Sequence, residues 1–120
     1  MASPLPCPPA TRDRRSPAGF IRPCQPVLAH KVPTGPEWIH ELKWDGWRIV
    51  ARRDGDSVCL WSRNGRNWID TFPSIVAAIQ RLEVEDVVID GEAACLLEDG
   101  RPDFDALRSK RARRDARLIA

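Results

Sequence analysis

Residues 47–62 read WRIVARRDGDSVCLWS, two alternating runs separated by an Asp-Gly pair at 54–55. In the first run Trp47, Ile49 and Ala51 fall on one face of an extended chain, and the intervening residues fall on the other. An Asp-Gly pair between two such runs is a strong hairpin signal, because glycine readily adopts the positive φ of a tight turn. The stretch therefore predicts an antiparallel hairpin and, with it, a mainly antiparallel sheet.

The segments on either side of the hairpin extend the prediction by a strand and a helix. Upstream, WIHELK at 38–43 alternates and predicts another strand. Downstream, PSIVAAIQRL at 73–82 places its apolar residues on one stripe at helical spacing. Pro73 suits the first turn of that helix, because the backbone N–H that proline lacks would have no partner within the helix at this position.

A second long strand pattern and a short helical one follow. DVVIDGEAACLL at 86–97 predicts a strand in which Asp90 and Glu92 share one face. PDFDALRS at 102–109 predicts a short helix with an aspartate near its start. Residues 38–97 are therefore expected to form mainly antiparallel sheet with one helix, which is an α+β fold.

The prolines divide the chain into a leader and a domain. Nine of the eleven prolines precede residue 37, and each removes a backbone donor and fixes φ, so this stretch excludes a long helix. Residues 1–20 are predicted to be a disordered, proline-rich leader. Residues 21–36 are predicted to form an irregular arm laid over the domain, which comprises residues 21–120.

Composition excludes several classes of protein. A chain of 120 residues allows one small domain, and a formal net charge of +2 excludes a bulk polycation. No run approaches the roughly 18 apolar residues of a membrane span, and the N-terminal stretch lacks the apolar core of a secretory signal. A cytoplasmic location without membrane contact is expected. None of the four cysteines has C-x-x-C spacing, which disfavours a zinc site.

The string ELKWDGWR places a lysine, a tight turn and an arginine in succession. Lys43 ends the first predicted strand, Asp45 and Gly46 turn the chain, and Arg48 begins the next strand. A lysine in a partly dry pocket loses its proton more easily and becomes a nucleophile, and an arginine can bind two phosphate oxygens at once. The alternative is a surface hairpin with a solvated lysine, and this string alone leaves both open.

Two further strings have the same ambiguity. SRNGR carries Arg63 and Arg66 on either side of a bend, where they would clamp anionic oxygens or simply form a polar loop. In VIDGE, Glu92 would hold a ribose hydroxyl or a magnesium ion, or the acidic pair would be an ordinary solvated face. Each string becomes more specific when the three are taken together in this order.

Taken together, these strings identify a family. ELKWDGWR, SRNGRNWIDTFPSI and VVIDGEAACLLEDGRPDFDALR resemble the first half of the adenylation domain of ATP-dependent DNA ligases, in particular the bacterial ligases of non-homologous end joining. The resemblance covers about residues 21–120. It implies the antiparallel-sheet nucleotidyltransferase fold that these ligases share with mRNA capping enzymes, here truncated at the C-terminus.

The resemblance also implies an activity and its partners. It implies attack of a lysine on the α-phosphate of ATP, transfer of AMP to a DNA 5′-phosphate and sealing of the strand in DNA repair or recombination. ATP as AMP donor and Mg²⁺ would be required, the substrate would be DNA with nicks or breaks, and end-joining proteins are candidate partners; the oligomeric state stays open. The residues carried over are Glu41 and Leu42 beside adenine, Lys43 as nucleophile, Asp45 and Gly46 in the nucleophile loop, Arg48 and Arg63 at ribose and phosphates, and Glu92 near the ribose and metal.

The sequence departs from the family pattern after Ala120. The adenine-stacking Phe-Asp-Leu segment, a later glutamate, the double-lysine motif and the OB-fold domain of the family are not in this sequence. One alternative is therefore a catalytically inactive, truncated remnant with at most weak nucleotide or DNA binding. Another is a different nucleotidyltransferase, an RNA ligase or capping enzyme, which the SRNG and DGE contexts disfavour.

Two expectations follow for the structure and the activity. Lys43, Arg48, Arg63 and Glu92 should converge on one concave face, since each lies at a strand end or on the same side of a strand. This chain alone is expected to form little or no lysine–AMP, because groups that position and neutralise the leaving pyrophosphate lie outside it.

Overall fold

A computed structural model describes residues 19–120, so most of the predicted leader lies outside the described residues. Its four strands form one antiparallel sheet in the order β2-β1-β3-β4. The elements are β1 (Trp47–Asp54), β2 (Ser57–Ser62), α1 (Pro73–Gln80), β3 (Asp86–Ala94), a 3₁₀ turn (Asp105–Arg108), α2 (Lys110–Arg113) and β4 (Arg117–Ile119).

The hairpin predicted from the Asp-Gly pair is confirmed. β1 and β2 pair from Ile49 opposite Ser62 to Asp54 opposite Ser57, which leaves a two-residue connection. Gly55 has a φ of 57°, the left-handed conformation that glycine adopts at no steric cost. The local sequence therefore sets both the position and the register of this hairpin.

One face of the sheet packs against α1 and forms the larger core. Ile49 of β1 and Leu60 of β2 are fully buried there against Ile75 and Ile79 of the helix. Phe72, the residue before the helix, is also fully buried, and its ring meets those of Trp47 and Trp68 at centroid distances of 6.0 and 5.6 Å. Burial of these side chains fixes α1 on the sheet.

The helix ends two residues earlier than the periodicity predicts. The Arg53 guanidinium donates hydrogen bonds to the carbonyl oxygens of Ile79, Gln80 and Leu82, at 3.3, 3.0 and 2.6 Å. The last carbonyls of a helix lack partners within it, and here a cation from the sheet satisfies them. Leu82 therefore lies beyond the helix, partly exposed.

The opposite face of the sheet is covered in part by Phe20, the residue just before the arm. Val50, Cys59 and Trp61 are buried on this side, and Phe20 packs on them with its ring 5.9 Å from that of Trp61. From Phe20 to residue 45 the chain contains no helix or strand, as predicted for residues 21–36.

The predicted strand at 38–43 is wrong. This segment makes no ladder with the described part of the chain, and Ile39 and Leu42 are 88% and 84% exposed. Alternation makes a strand possible, but a strand also needs a neighbour for its backbone groups. Both edges of β1 are already paired, with β2 and with β3, so the segment has no place beside it.

The last third of the chain returns to the sheet. β3 ends at Ala94 rather than at residue 97, and the predicted helix at 102–109 is a single 3₁₀ turn. β4 pairs with β3 so closely that a Cβ on Gly91 would collide with the Ile119 carbonyl oxygen. Across residues 19–120 the structure has no helix with the length and apolar character needed to cross a bilayer.

Candidate active site

Three charged residues meet on the sheet face that lies opposite α1. Because side chains alternate along strands, Arg48 of β1 shares this face with Asp90 and Glu92 of β3. Arg48 pairs directly opposite Glu92 in the register. Its guanidinium reaches diagonally to Asp90 and donates two parallel hydrogen bonds, Nε to Oδ1 at 2.9 Å and Nη2 to Oδ2 at 2.7 Å. Such bidentate pairs fix the plane of the guanidinium.

The arm supplies a third acceptor for the same guanidinium. Arg48 Nη1 donates to the Cys24 carbonyl oxygen at 2.6 Å. The hydrogen bond to Asp90 is the main cause that raises the pKa of Arg48, and partial burial opposes it. Arg48 is thus held in one orientation by β3 on one side and the arm on the other.

The turn before β1 lies directly on β3. A Cβ on Gly46 would collide with the Ala93 carbonyl oxygen and would lie 3.4 Å from Glu92 Oε2. Only glycine allows the backbone to approach β3 this closely. The contact places the end of the Lys-Trp-Asp-Gly string beside the carboxylate of Glu92.

Electrostatic effects on Glu92 show which charges surround it. Burial raises the pKa of the Glu92 carboxyl above its ordinary value, and the nearby charges of Asp90 and Asp45 act in the same direction. The charges of Arg48 and Lys43 lower that pKa. The charges of two cations and two other carboxylates therefore affect the pKa of Glu92, and these groups include Lys43 and Asp45 before the Gly46 turn and Arg48 after it.

Of the two alternatives that the ELKWDGWR string leaves open for Lys43, a partly dry pocket and a solvated side chain, the structure has the solvated one. The Lys43 side chain is 89% exposed, and its Nζ lies 3.4 Å from Oδ1 of Asp45, which is itself 58% exposed. The physical reason is the unpaired segment at 38–43, which carries the lysine into solvent instead of along a sheet. In this arrangement the lysine is a solvated ammonium paired with a neighbouring carboxylate.

The remaining predicted residues lie at the margin of this cluster. Glu41 and Leu42 are exposed in the irregular segment before the turn. Arg63 is exposed one residue past the end of β2. Since Ser62 pairs with Ile49, Arg63 leaves the sheet at the same end as Arg48. The structure thus gathers Lys43, Asp45, Gly46, Arg48 and Glu92, and it brings Glu41, Leu42 and Arg63 near that end without a contact to them.

Sequence reasoning missed two partners of Arg48. It placed Asp90 on the same face as Glu92 but gave it no role, although a carboxylate two residues away on a strand is a signal that it faces the same site. The Cys24 carbonyl carries no sequence signal, because every residue has one. Both contacts depend on tertiary register.

Comparison with known proteins assigns the family. A family model described as ATP dependent DNA ligase domain matches residues 24–119. The multifunctional non-homologous end joining protein LigD of Pseudomonas aeruginosa is 39% identical over 90 residues, covering 75% of this chain and 11% of that protein. DNA ligase C of Mycobacterium tuberculosis is 43% identical over 89 residues, covering 73% of this chain and 25% of that ligase.

Solved structures agree with the sequence relatives. The ligase domain of M. tuberculosis LigD superposes with a TM-score of 0.55 at 36% identity, over 65% of this chain and 25% of that one. A mycobacterial DNA ligase D complexed with ATP and MES gives 0.54, with the same identity and coverage. This confirms the predicted α+β nucleotidyltransferase-type fold, and the chain spans only 11% to 25% of the length of these relatives. The chain belongs to the ATP-dependent DNA ligase family.

Proposed function

We propose that this chain supplies the nucleophile-bearing part of a ligase adenylation site, which acts in ATP-dependent sealing of DNA. The observation that carries the proposal is the packing of the Gly46 turn on β3. This packing brings the Lys43 loop next to the side chains of Arg48 and Glu92. Lys43 and Glu92 are more than forty residues apart in the sequence. This packing joins the ELKWDGWR string to the VIDGE string, and the β1–β2 pairing supports the proposal that Arg63 acts from the same end of the sheet.

Each residue has a role that its chemistry suits. Lys43 attacks the α-phosphorus of ATP after losing its proton, a P–N bond forms, and the bond to pyrophosphate breaks. Arg48 and Arg63 neutralise phosphate or ribose oxygens, and Glu41 and Leu42 contact adenine. Charge neutralisation dominates phosphoryl-type transfer, so cations at this end of the sheet matter more than a general base.

The residues present fit a magnesium ion that is held mainly by substrate. Mg²⁺ keeps several waters and is usually bound through one or two carboxylates plus phosphates. Glu92 is a half-buried carboxylate of this kind. No group of three or more His, Cys, Asp or Glu side chains within residues 19–120 is arranged to hold a metal. An ion at Glu92 would supply positive charge to the phosphates when ATP is bound.

The exposure of Lys43 favours a second candidate, in which the chain alone is inactive and binds nucleotide or DNA weakly. A solvated ammonium is a poor nucleophile, because protonation removes its lone pair. We therefore expect the isolated chain to form little or no lysine–AMP with α-labelled ATP and Mg²⁺. Strong label on this chain that is absent from Lys43→Ala would contradict that expectation.

A chimera tests the proposed function itself. Residues 21–120, which we propose as the ligase-domain segment, would replace the matching segment of the M. tuberculosis LigD ligase domain. The proposal predicts that the folded chimera is labelled by α-labelled ATP and that the chimera with Lys43→Ala is not. A folded chimera without label, beside a labelled host domain, would contradict it.

The setting of this activity is part of the same proposal. The substrate is DNA with nicks or breaks, as the names of the relatives suggest, and end-joining proteins are the candidate partners. We place the protein in the cytoplasm, with residues 1–20 as a leader outside the catalytic segment.

A further inference from the structure

A groove lies between α1 and α2, and its volume is about 760 Å³. One wall consists of α1 residues at positions i, i+3, i+4 and i+7, which share one face of a helix. They are Pro73, Val76, Ala77 and Gln80. The core residues Ile75 and Ile79 lie on the face of α1 that packs on the sheet. The groove therefore follows the outer side of α1, and neither Arg48 nor Glu92 lines it.

The opposite wall is cationic, and helical spacing again explains why. Lys110, Arg113 and Arg114 stand at positions i, i+3 and i+4 along α2 and its C-cap, so they share one side of the helix. Arg113 lies over the ring of Trp47, with its guanidinium carbon 5.4 Å from the ring centroid, and this contact holds α2 beside the core. Among residues 19–120, the side chains of Lys110 and Arg114 have no ion-pair or hydrogen-bond partner. These two cations are therefore available to an anionic ligand.

The lining combines this positive charge with an apolar surface. Asp70 is the only acidic residue among the described residues of the lining. Three cations and one carboxylate give the lining a net charge of +2, which equals the formal net charge of the whole chain. Ile69, in the loop before α1, and Val76 are half-buried and contribute apolar surface. The complement of this groove is a ligand that carries apolar groups and negative charges side by side.

We propose that the groove docks an acidic amphipathic helix of a partner protein. On a helix, an acidic flank lies next to an apolar stripe, so one helix covers Val76 and Ala77 while its carboxylates face Lys110 and Arg114. An extended segment fits less well, because its alternating side chains put apolar and acidic groups on opposite faces. A nucleic-acid backbone also fits less well, because its phosphates would meet Asp70 and the apolar wall. A helix docked here leaves the Arg48 face of the sheet uncovered.

A model peptide tests the charge complementarity. The probe is a labelled helical peptide of about four turns, with leucines at i, i+3, i+4 and i+7 and glutamates on one flank of that stripe. Its binding to the 120-residue chain is followed by fluorescence anisotropy. Lys110→Gln/Arg114→Gln, which keeps Arg113 on Trp47, should weaken binding about tenfold, the effect of losing two exposed ion pairs. Unchanged affinity in this variant would overturn the proposal.

Two neighbouring alanines of α1 provide a matched pair of variants. Ala77 lines the groove, whereas Ala78 is exposed and lies outside the lining. Glutamate at position 77 puts a like charge and extra bulk where the peptide should lie, so Ala77→Glu should weaken binding by about tenfold or more. Ala78→Glu adds the same charge to the same helix and should leave the affinity nearly unchanged. Equal losses in the two variants would contradict docking on this face of α1.

The acidic residue of the lining gives a test that damage to the fold cannot imitate. Asp70→Asn removes the negative charge from the groove and should tighten binding of the acidic peptide about threefold. Asp56→Asn removes the same charge from the exposed hairpin turn and should have no effect. A weaker or unchanged affinity in Asp70→Asn would count against the proposal.

Three further outcomes would overturn the proposal. They are no measurable binding by the wild-type chain, equal binding of a peptide in which serines replace the leucines, and displacement of the peptide by a DNA duplex at constant ionic strength. The first shows that the groove does not dock such a helix, the second that charge alone drives binding, and the third that the groove takes nucleic acid. None of these readouts involves Lys43 or ATP, so they are separate from the labelling of the chimera.

Discussion

Replacing Gly46 with alanine tests whether the nucleophile loop truly lies on β3. The added Cβ would collide with the Ala93 carbonyl oxygen, a backbone atom that cannot rotate away. Ala93 is fully buried and paired with Trp47 and with Leu118, so β3 cannot retreat without disturbing two ladders. Forced overpacking of this kind costs about 1–3 kcal/mol. We expect Gly46→Ala to lower the free energy of unfolding by that amount.

Urea unfolding followed by tryptophan fluorescence measures the effect, because Trp44 and Trp47 flank the substituted residue. Gly55→Ala is the matched control: nothing lies within 4 Å of a Cβ there, and its cost comes only from a φ of 57°. That conformational cost is about 1 kcal/mol. An unchanged unfolding midpoint for Gly46→Ala would refute the contact between the loop and β3, and with it the assembly of the candidate site.

Three more substitutions have defined outcomes. Arg53→Ala removes three hydrogen bonds from the end of α1 and, after allowance for solvent screening, should cost about 1–2 kcal/mol in urea unfolding. Burial raises the pKa of the Glu92 carboxyl in the folded chain, so the ionised carboxylate destabilises the fold at pH values above that pKa. This loss of stability disappears as the pH falls below 4.5, the ordinary value that applies to the unfolded chain. Glu92→Gln should therefore raise the unfolding midpoint near pH 7 and lose this advantage near pH 4; a larger advantage at pH 4 would contradict the sign. Lys43→Ala should leave the unfolding midpoint unchanged, because the side chain is solvated, and a clear loss of stability would place the lysine in a packed pocket.

The local elements of this fold are predictable because their signals are local. The Asp-Gly pair sets the hairpin, and Pro73 with the apolar stripe sets the start of α1. The strand predicted at 38–43 fails because alternation describes one chain, whereas pairing needs a second. The periodicity extends α1 two residues too far, because the last carbonyls of the helix are satisfied by Arg53, which lies on a strand twenty-six residues before Ile79.

The candidate site is predictable in its residue types but not in its contacts. Strand alternation places Asp90 and Glu92 on one face of β3, and the register then sets Glu92 opposite Arg48 of β1. The bidentate pair with Asp90 is diagonal, so it follows only from the observed register and rotamers. The solvation of Lys43 depends on a missing strand neighbour, which residue identity alone does not reveal.

Titration of the Glu92 carboxyl by NMR is the most direct measurement of the central claim, that the Lys43 loop and the β3 carboxylate share one site. The account predicts a pKa above the ordinary value of 4.5 for Glu92 in the wild-type chain. Because the Lys43 charge lowers that pKa, Lys43→Met should raise it further, while Lys31→Met, which removes a lysine charge from the exposed arm, should leave it unchanged. A Glu92 pKa that does not respond to Lys43→Met would contradict the account.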